Sequence, residues 1–105
     1  MQKIKNQSLI ERLPDDYKRD VEKAIHILTD EGCDEIYLFG SLANGKSSPK
    51  SDIDLAVKGL KDNIFFKVLG KLLGALDHPV DLLSIEDENR FIALLKKRGE
   101  LLRVA

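Results

Sequence analysis

Hydrophobic positions along the chain change period several times, and each change predicts an element. Tyr17, Val21, Ala24, Ile25 and Leu28 recur at helical spacing, which places them on one face of a helix. Pro14 with Asp15 and Asp16 opens that helix, because acids in a first turn complement the helix dipole, and Gly32 ends it. Glu35 to Phe39 is a short apolar run aimed at Gly40 and predicts a strand. Residues 41–46 predict a helical turn, and Lys46 to Ser51, with Pro49, a polar loop. Asp52 to Val57 then alternates acid and aliphatic. Successive strand side chains point to opposite faces, so Asp52, Asp54 and Ala56 are expected on one side and Ile53, Leu55 and Val57 on the other. The aliphatic side belongs to a core, and the acidic side must meet solvent or cations.

The second half continues the alternation of elements. Ile64, Phe65, Val68, Leu69, Leu72, Leu73 and Leu76 make a wide apolar stripe on a helix predicted over Lys61 to Leu76. That stripe is expected in the core, with one end available to a homo- or hetero-oligomeric interface. His78-Pro79 breaks the helix, and Pro79 to Ile85 predicts a strand whose one charge is Asp81. Glu88 to Lys97 predicts a further helix ended by Gly99, and Leu101, Leu102 and Val104 a short edge strand. The order predicts an α/β (α+β) domain: a small mixed β-sheet of three to four strands with helices packed on it. The residues through Arg12 carry the weakest pattern and are expected to form a loose arm.

Composition narrows the setting. A chain of 105 residues, 43% hydrophobic and 33% charged, suits one globular domain. A formal net charge of −1 lacks the basic excess of a nucleic-acid-binding surface, so direct nucleic-acid binding is not expected. No apolar run nears the ~18 residues a membrane helix needs, and the mixed charged N-terminus lacks a secretory pattern. The lone Cys33 suits a reducing cytosol, so a cytoplasmic location is expected and Cys33 reads as an inert turn residue. His26 and His78 have no Cys or His at zinc-ligand spacing and read as structural. Lys96-Lys97-Arg98 reads as a helix C-terminus favoured by the dipole.

Chemistry concentrates in Gly40-Ser41, Asp52-Ile53-Asp54 and Asp81. Gly40 has no Cβ, so phosphate oxygens can approach the backbone. Ser41 offers a hydroxyl and an amide, and a helical turn after it favours a bound anion. Two carboxylates about 4 Å apart repel by roughly 4 kcal/mol at an effective dielectric of 20, so a strand that carries both needs cations or solvent to compensate. Magnesium prefers oxygen ligands and binds carboxylates together with substrate phosphates. Two such ions can clamp the attacking and leaving oxygens of an in-line displacement. Asp81, in an otherwise apolar strand, joins the pair if its strand lies beside theirs in register, and is then placed to take a proton.

Gly40-Ser41 with Asp52-x-Asp54, and Asp81 on a following strand, resembles the nucleotidyltransferase superfamily related to DNA polymerase beta. The length is similar to that of its minimal nucleotidyltransferase branch, and the resemblance covers about residues 14 to 104. It implies that Gly40 and Ser41 hold the triphosphate of ATP or another NTP. It also implies that Asp52 and Asp54 bind two Mg²⁺ with Asp81 as third acid, and that pyrophosphate leaves. A HEPN-domain toxin is the implied partner: the minimal enzyme acts as antitoxin by transferring AMP to a tyrosine hydroxyl of the toxin. Two other readings stand beside this one. The chain would neutralise its partner by binding alone, or would transfer a nucleotide to a small molecule such as an aminoglycoside, which needs a substrate-covering domain. Family members often read Gly-Ser-x-Ala-Arg-Gly, whereas here Asn44 takes the place of the cation, with Lys46 and Lys50 as the nearby charges.

Overall fold

The computed structural model describes residues 6–46, 48–86 and 89–105. Two helices come first, α1 (Gln7–Glu11) and α2 (Asp15–Asp30). Tyr17, Val21, Ala24 and Leu28 are each no more than 1% exposed, so the stripe seen in sequence is the buried face of α2. Ile10 is fully buried and Leu13 nearly so, and the Asn6 amide donates to the Arg103 carbonyl. Ile10 therefore anchors α1 to the core, so residues 6–12 carry a short docked helix with an exposed outer face instead of the loose arm expected of them. A five-residue helix anchored by one isoleucine is too short to show a period. Residues 1–5 of that expected arm lie outside the described residues.

The strands are β1 (Glu35–Phe39), β2 (Ile53–Lys58), β3 (Val80–Ser84) and β4 (Leu102–Arg103). Among the described residues they form one sheet in the order β3-β2-β1-β4. β1 runs antiparallel to β2 and to β4, whereas β2 and β3 are parallel. A parallel pair needs a long crossover, and α4 (Phe65–Ala75) provides it after a 3-10 turn at Asp62–Ile64. A short helix, α3 (Gly40–Asn44), follows β1 directly, and α5 (Arg90–Lys97) connects β3 to β4. Three boundaries differ from the sequence reading. The helix expected from Lys61 begins as the 3-10 turn. α5 begins at Arg90, where the Asn89 side chain accepts from the Ile92 amide at 2.9 Å as an N-cap; Glu88, the expected start, lies outside the described residues. β2 begins at Ile53, so Asp52 stands just ahead of the strand that was expected to contain it.

Strand alternation sends side chains to two unequal layers. Ile36, Leu38, Ile53, Leu55, Val57 and Leu82 join α1, α2 and α4 in the main core. On the opposite face Phe39, Ala56 and Leu95 form a smaller cluster, with Tyr37, Leu83, Ile85 and Leu101 packed against it. The candidate chemistry lies on this second, thinly covered face.

Candidate active site

The register places the chemistry. Asp54 lies opposite Phe39 on its β1 side and opposite Asp81 on its β3 side. The residue after Phe39 is Gly40, so the turn that leaves β1 passes over Asp54. Gly40 has φ +72°, and a Cβ built there would stand 2.1 Å from Asp54 Oδ2. No side chain fits without displacing the carboxylate, so glycine is required by both conformation and space. Ser41 follows on the first turn of α3 and is half-buried. α3 closes at Gly45 in the left-handed conformation, and Lys46 N donates to the Ser41 carbonyl at 3.0 Å.

The carboxylates are not equivalent. Asp54 is half-buried, while Asp52 and Asp81 are exposed. Burial pushes the Asp54 carboxyl up to about 6, helped by the charge of Asp81, by a hydrogen bond with it and by the charge of Asp52. An Asp–Asp hydrogen bond needs a proton, so the pair retains one into mildly acidic conditions. A divalent cation would do the proton's work of neutralising the pair, and oxygen donors of this kind suit Mg²⁺. Asp52 contributes to the site by its field and is not held in the β2 ladder. Among the described residues no three His, Cys, Asp or Glu side chains are gathered into a ready-made metal cluster. The donor set therefore fits a cation completed by substrate phosphates better than an all-protein cage.

A cleft of about 750 Å³ opens over this face between α5 and the sheet. Gly40, Asn44, Asp54 and Asp81 line it together with Phe39 and Phe91. Acid groups and an aromatic wall thus share one cavity, the usual make-up of a site for a ligand with apolar and charged parts. Phe39 and Phe91 meet edge to face with centroids 5.9 Å apart. Ser41 and Asp52 do not line this cleft. Asn44, which takes the position of the cation in the related motif, accepts from Lys46 N at 3.0 Å through its side-chain oxygen. Its oxygen shapes the turn after α3.

A buried carboxylate on α2 also carries a polar network. Asp20 falls three residues after Tyr17 and one before Val21, on the apolar stripe of α2, and is 1% exposed. A carboxylate inside a buried stripe was the available signal, since buried charges require partners. Its partners are the amides of Asp77 and His78 and the His78 ring. Cys33 is buried, and burial raises its thiol to about 11, which leaves it unreactive. Among the described residues no helix is long and apolar enough to cross a membrane.

Solved structures of other proteins share this fold. A crystal structure of a toxin–antitoxin with AMP-PNP superposes with a TM-score of 0.64 at 30% identity, covering 78% of this chain and 69% of that one. A structure of the MntA–HepT toxin–antitoxin aligns at 26% identity with a TM-score of 0.60, covering 82% and 69%. The same figures describe a complex of a tri-AMPylated Shewanella oneidensis HEPN toxin with an MNT antitoxin. No curated protein sequence matches the chain. Residues 22–103 match the family described as "Polymerase beta, Nucleotidyltransferase", and the chain belongs to that family of nucleotidyltransferases.

Proposed function

We propose that the chain transfers AMP from ATP to a hydroxyl of a HEPN-domain toxin and thereby acts as its antitoxin. The observation that carries this reading is the contact of Gly40 with Asp54, which itself lies in register with Asp81. It seats the glycine turn that leaves β1 directly against one of two neighbouring acids, a pair that needs a cation. The related complexes support the choice of nucleotide and acceptor: one holds AMP-PNP, and another contains an AMPylated HEPN toxin with its MNT antitoxin. α5 leaves Phe91 and Leu94 50% and 42% exposed, apolar surface suited to a protein acceptor.

In this reading Asp54 and Asp81, with Asp52 at the entrance of β2, would hold divalent magnesium together with the substrate's phosphates. When bound, Mg²⁺ would neutralise the phosphate oxygens and polarise the attacked phosphorus. The cation would favour the ionised Asp54 carboxylate, which burial otherwise disfavours. The turn at Gly40 and Ser41 would bind triphosphate oxygens through its backbone N–H groups at the start of α3. Asp81, exposed at the mouth of the pair, accepts the proton of the incoming hydroxyl. The hydroxyl oxygen bonds to the α-phosphorus, the bond from that phosphorus to the bridging oxygen breaks, and pyrophosphate leaves. Phe91 covers one side of the cleft and limits access of water to the reacting phosphate.

The test is label transfer from α-labelled ATP to a purified HEPN partner in the presence of Mg²⁺. Wild type is expected to label the partner, and the Asp52→Ala/Asp54→Ala variant to leave it unlabelled. Equal labelling by both proteins would overturn the proposal. A second reading, neutralisation by binding alone, rests on Asn44, which brings no charge to the cleft. It predicts that Asp54→Asn still suppresses the toxin with no label transferred.

A further inference from the structure

The unassigned polar group behind the site forms a continuous chain. Asp20, buried on α2, accepts from Asp77 N at 3.0 Å, from His78 N at 3.0 Å, and pairs with His78 Nδ1 at 2.7 Å. The other ring nitrogen, Nε2, faces Asp16 Oδ2 at 3.1 Å. The imidazole stacks on Tyr17 with centroids 3.8 Å apart and planes 18° from parallel. The Tyr17 hydroxyl then donates to the Ser51 carbonyl at 2.6 Å, with the Ser48 carbonyl at 3.3 Å. Ser51 is the residue before Asp52. At the other end His78 is followed by Pro79, whose carbonyl accepts from Ile53 N at 2.9 Å. One network thus ties together the entrances of both strands that carry the acids.

Asp52 needs such support more than its neighbours do. β2 pairing fixes Asp54, and β3 pairing fixes Asp81. Asp52 precedes the ladder and is exposed, so the loop behind it sets its direction. That loop is closed on itself by Ser51 N to the Ser48 carbonyl at 3.0 Å and by Ser48 N to Ser51 Oγ at 2.7 Å. Tyr17 is its described tether to the core. The ring is 1% exposed, and its hydroxyl titrates above the usual range through burial and the nearby charges of Asp16 and Asp52, so it stays a donor.

We propose that Tyr17 is a positioning residue for Asp52: its hydroxyl, clamped from behind by the His78–Asp20 pair, holds the Ser51 carbonyl and so aims the Asp52 carboxylate at the metal-bound triphosphate. The proposal rests on the nucleotidyl-transfer reading of the site. Partners behind a metal ligand commonly change metal affinity by about tenfold or more when removed. Removal of one hydroxyl is far milder for the fold, because Tyr17→Phe keeps the stacked ring.

The test is calorimetric titration with the Mn²⁺ complex of AMP-PNP, beside amide hydrogen exchange over residues 48–52. Tyr17→Phe is expected to weaken binding about tenfold and to speed exchange in that loop. In an Asp52→Asn background the same substitution should leave binding unchanged, because the ligand it positions is gone. Unaltered binding by Tyr17→Phe in the wild-type background overturns the proposal, even if the melting temperature falls. An equal loss in both backgrounds also overturns it, since Tyr17 would then act elsewhere. His78→Asn provides a second variant that keeps a donor for Asp20 and removes the stacked ring; it is expected to weaken binding in the same direction, and unchanged affinity there counts against the clamp. If wild type itself binds no nucleotide complex, the nucleotidyl-transfer reading fails first, an outcome distinct from wild-type binding that ignores Tyr17.

Discussion

Ile53, Leu55 and Val57 leave β2 toward one side of the sheet, while Asp54 and Ala56 leave toward the other. The first side meets three helices and is fully buried at all three positions. The second meets α5 and a cleft, and its core is a small cluster around Phe39, Ala56 and Leu95. One strand thus packs the main core with one set of side chains and presents the candidate site with the other. A half-buried aspartate beside a second carboxylate is unfavourable for folding, and the dry side, with its continuous aliphatic packing, offsets that cost. Substitutions that respect this division should separate activity from stability, and substitutions at the seam should affect both.

The sharpest separation is expected at Asp54. Asp54→Asn should lower nucleotidyl transfer by on the order of a thousandfold, the scale of losing a principal charge-stabilising group in phosphoryl chemistry. The same variant should melt at a higher temperature at neutral pH, because it removes a half-buried charge from beside Asp81. Transfer kinetics and a thermal melt check both. A variant that lost activity and stability together would break the division between faces. On the dry side Leu55→Ala should destabilise by about 2–5 kcal/mol, measured by denaturant unfolding, while the folded fraction keeps its affinity for nucleotide. Gly40→Ala sits at the seam: its Cβ has no room beside Asp54 Oδ2. Displacement of that carboxylate should cost transfer about a hundredfold, together with a loss of stability from the positive φ.

A smaller effect concerns pH. Asp54 titrates near 6 in the fold, mainly through burial and then through Asp81, well above an unfolded aspartate. The native state therefore binds more protons than the unfolded chain between about pH 4 and 6. Stability of the metal-free protein should fall as pH rises through that window, and Asp54→Asn should flatten the slope. Melting curves at closely spaced pH values check this. Mg²⁺ with ATP should restore stability above pH 6 and lose its effect below about pH 5, where protons hold the pair.

Much of the fold was legible because its segments are strongly periodic. The α2 stripe, the β2 alternation and the apolar run of β3 each gave one consistent answer. α1 was not legible, since one buried Ile10 in a five-residue helix has no period to detect. Of the residues singled out for chemistry, Gly40, Asp54 and Asp81 come together on one cleft, while Ser41 and Asp52 lie outside its lining. Their inequality was not legible. That Asp52 stands before β2, that Asp54 lies under Gly40 and that Asp81 stays exposed all follow from register and burial, which pairing between distant segments decides. Tyr17 and His78 looked like a core aromatic and a turn histidine because their hydrogen bonds reach across 34 and 58 residues.

The most direct test of the acid site is a carboxyl-carbon NMR titration of Asp54 with and without Mg²⁺ and AMP-PNP. The structure predicts titration near pH 6 in the free protein, reporting burial beside Asp81, and a drop of well over one unit when cation and nucleotide bind. Titration near that of an unfolded aspartate in both conditions, indifferent to the cation, would contradict the account.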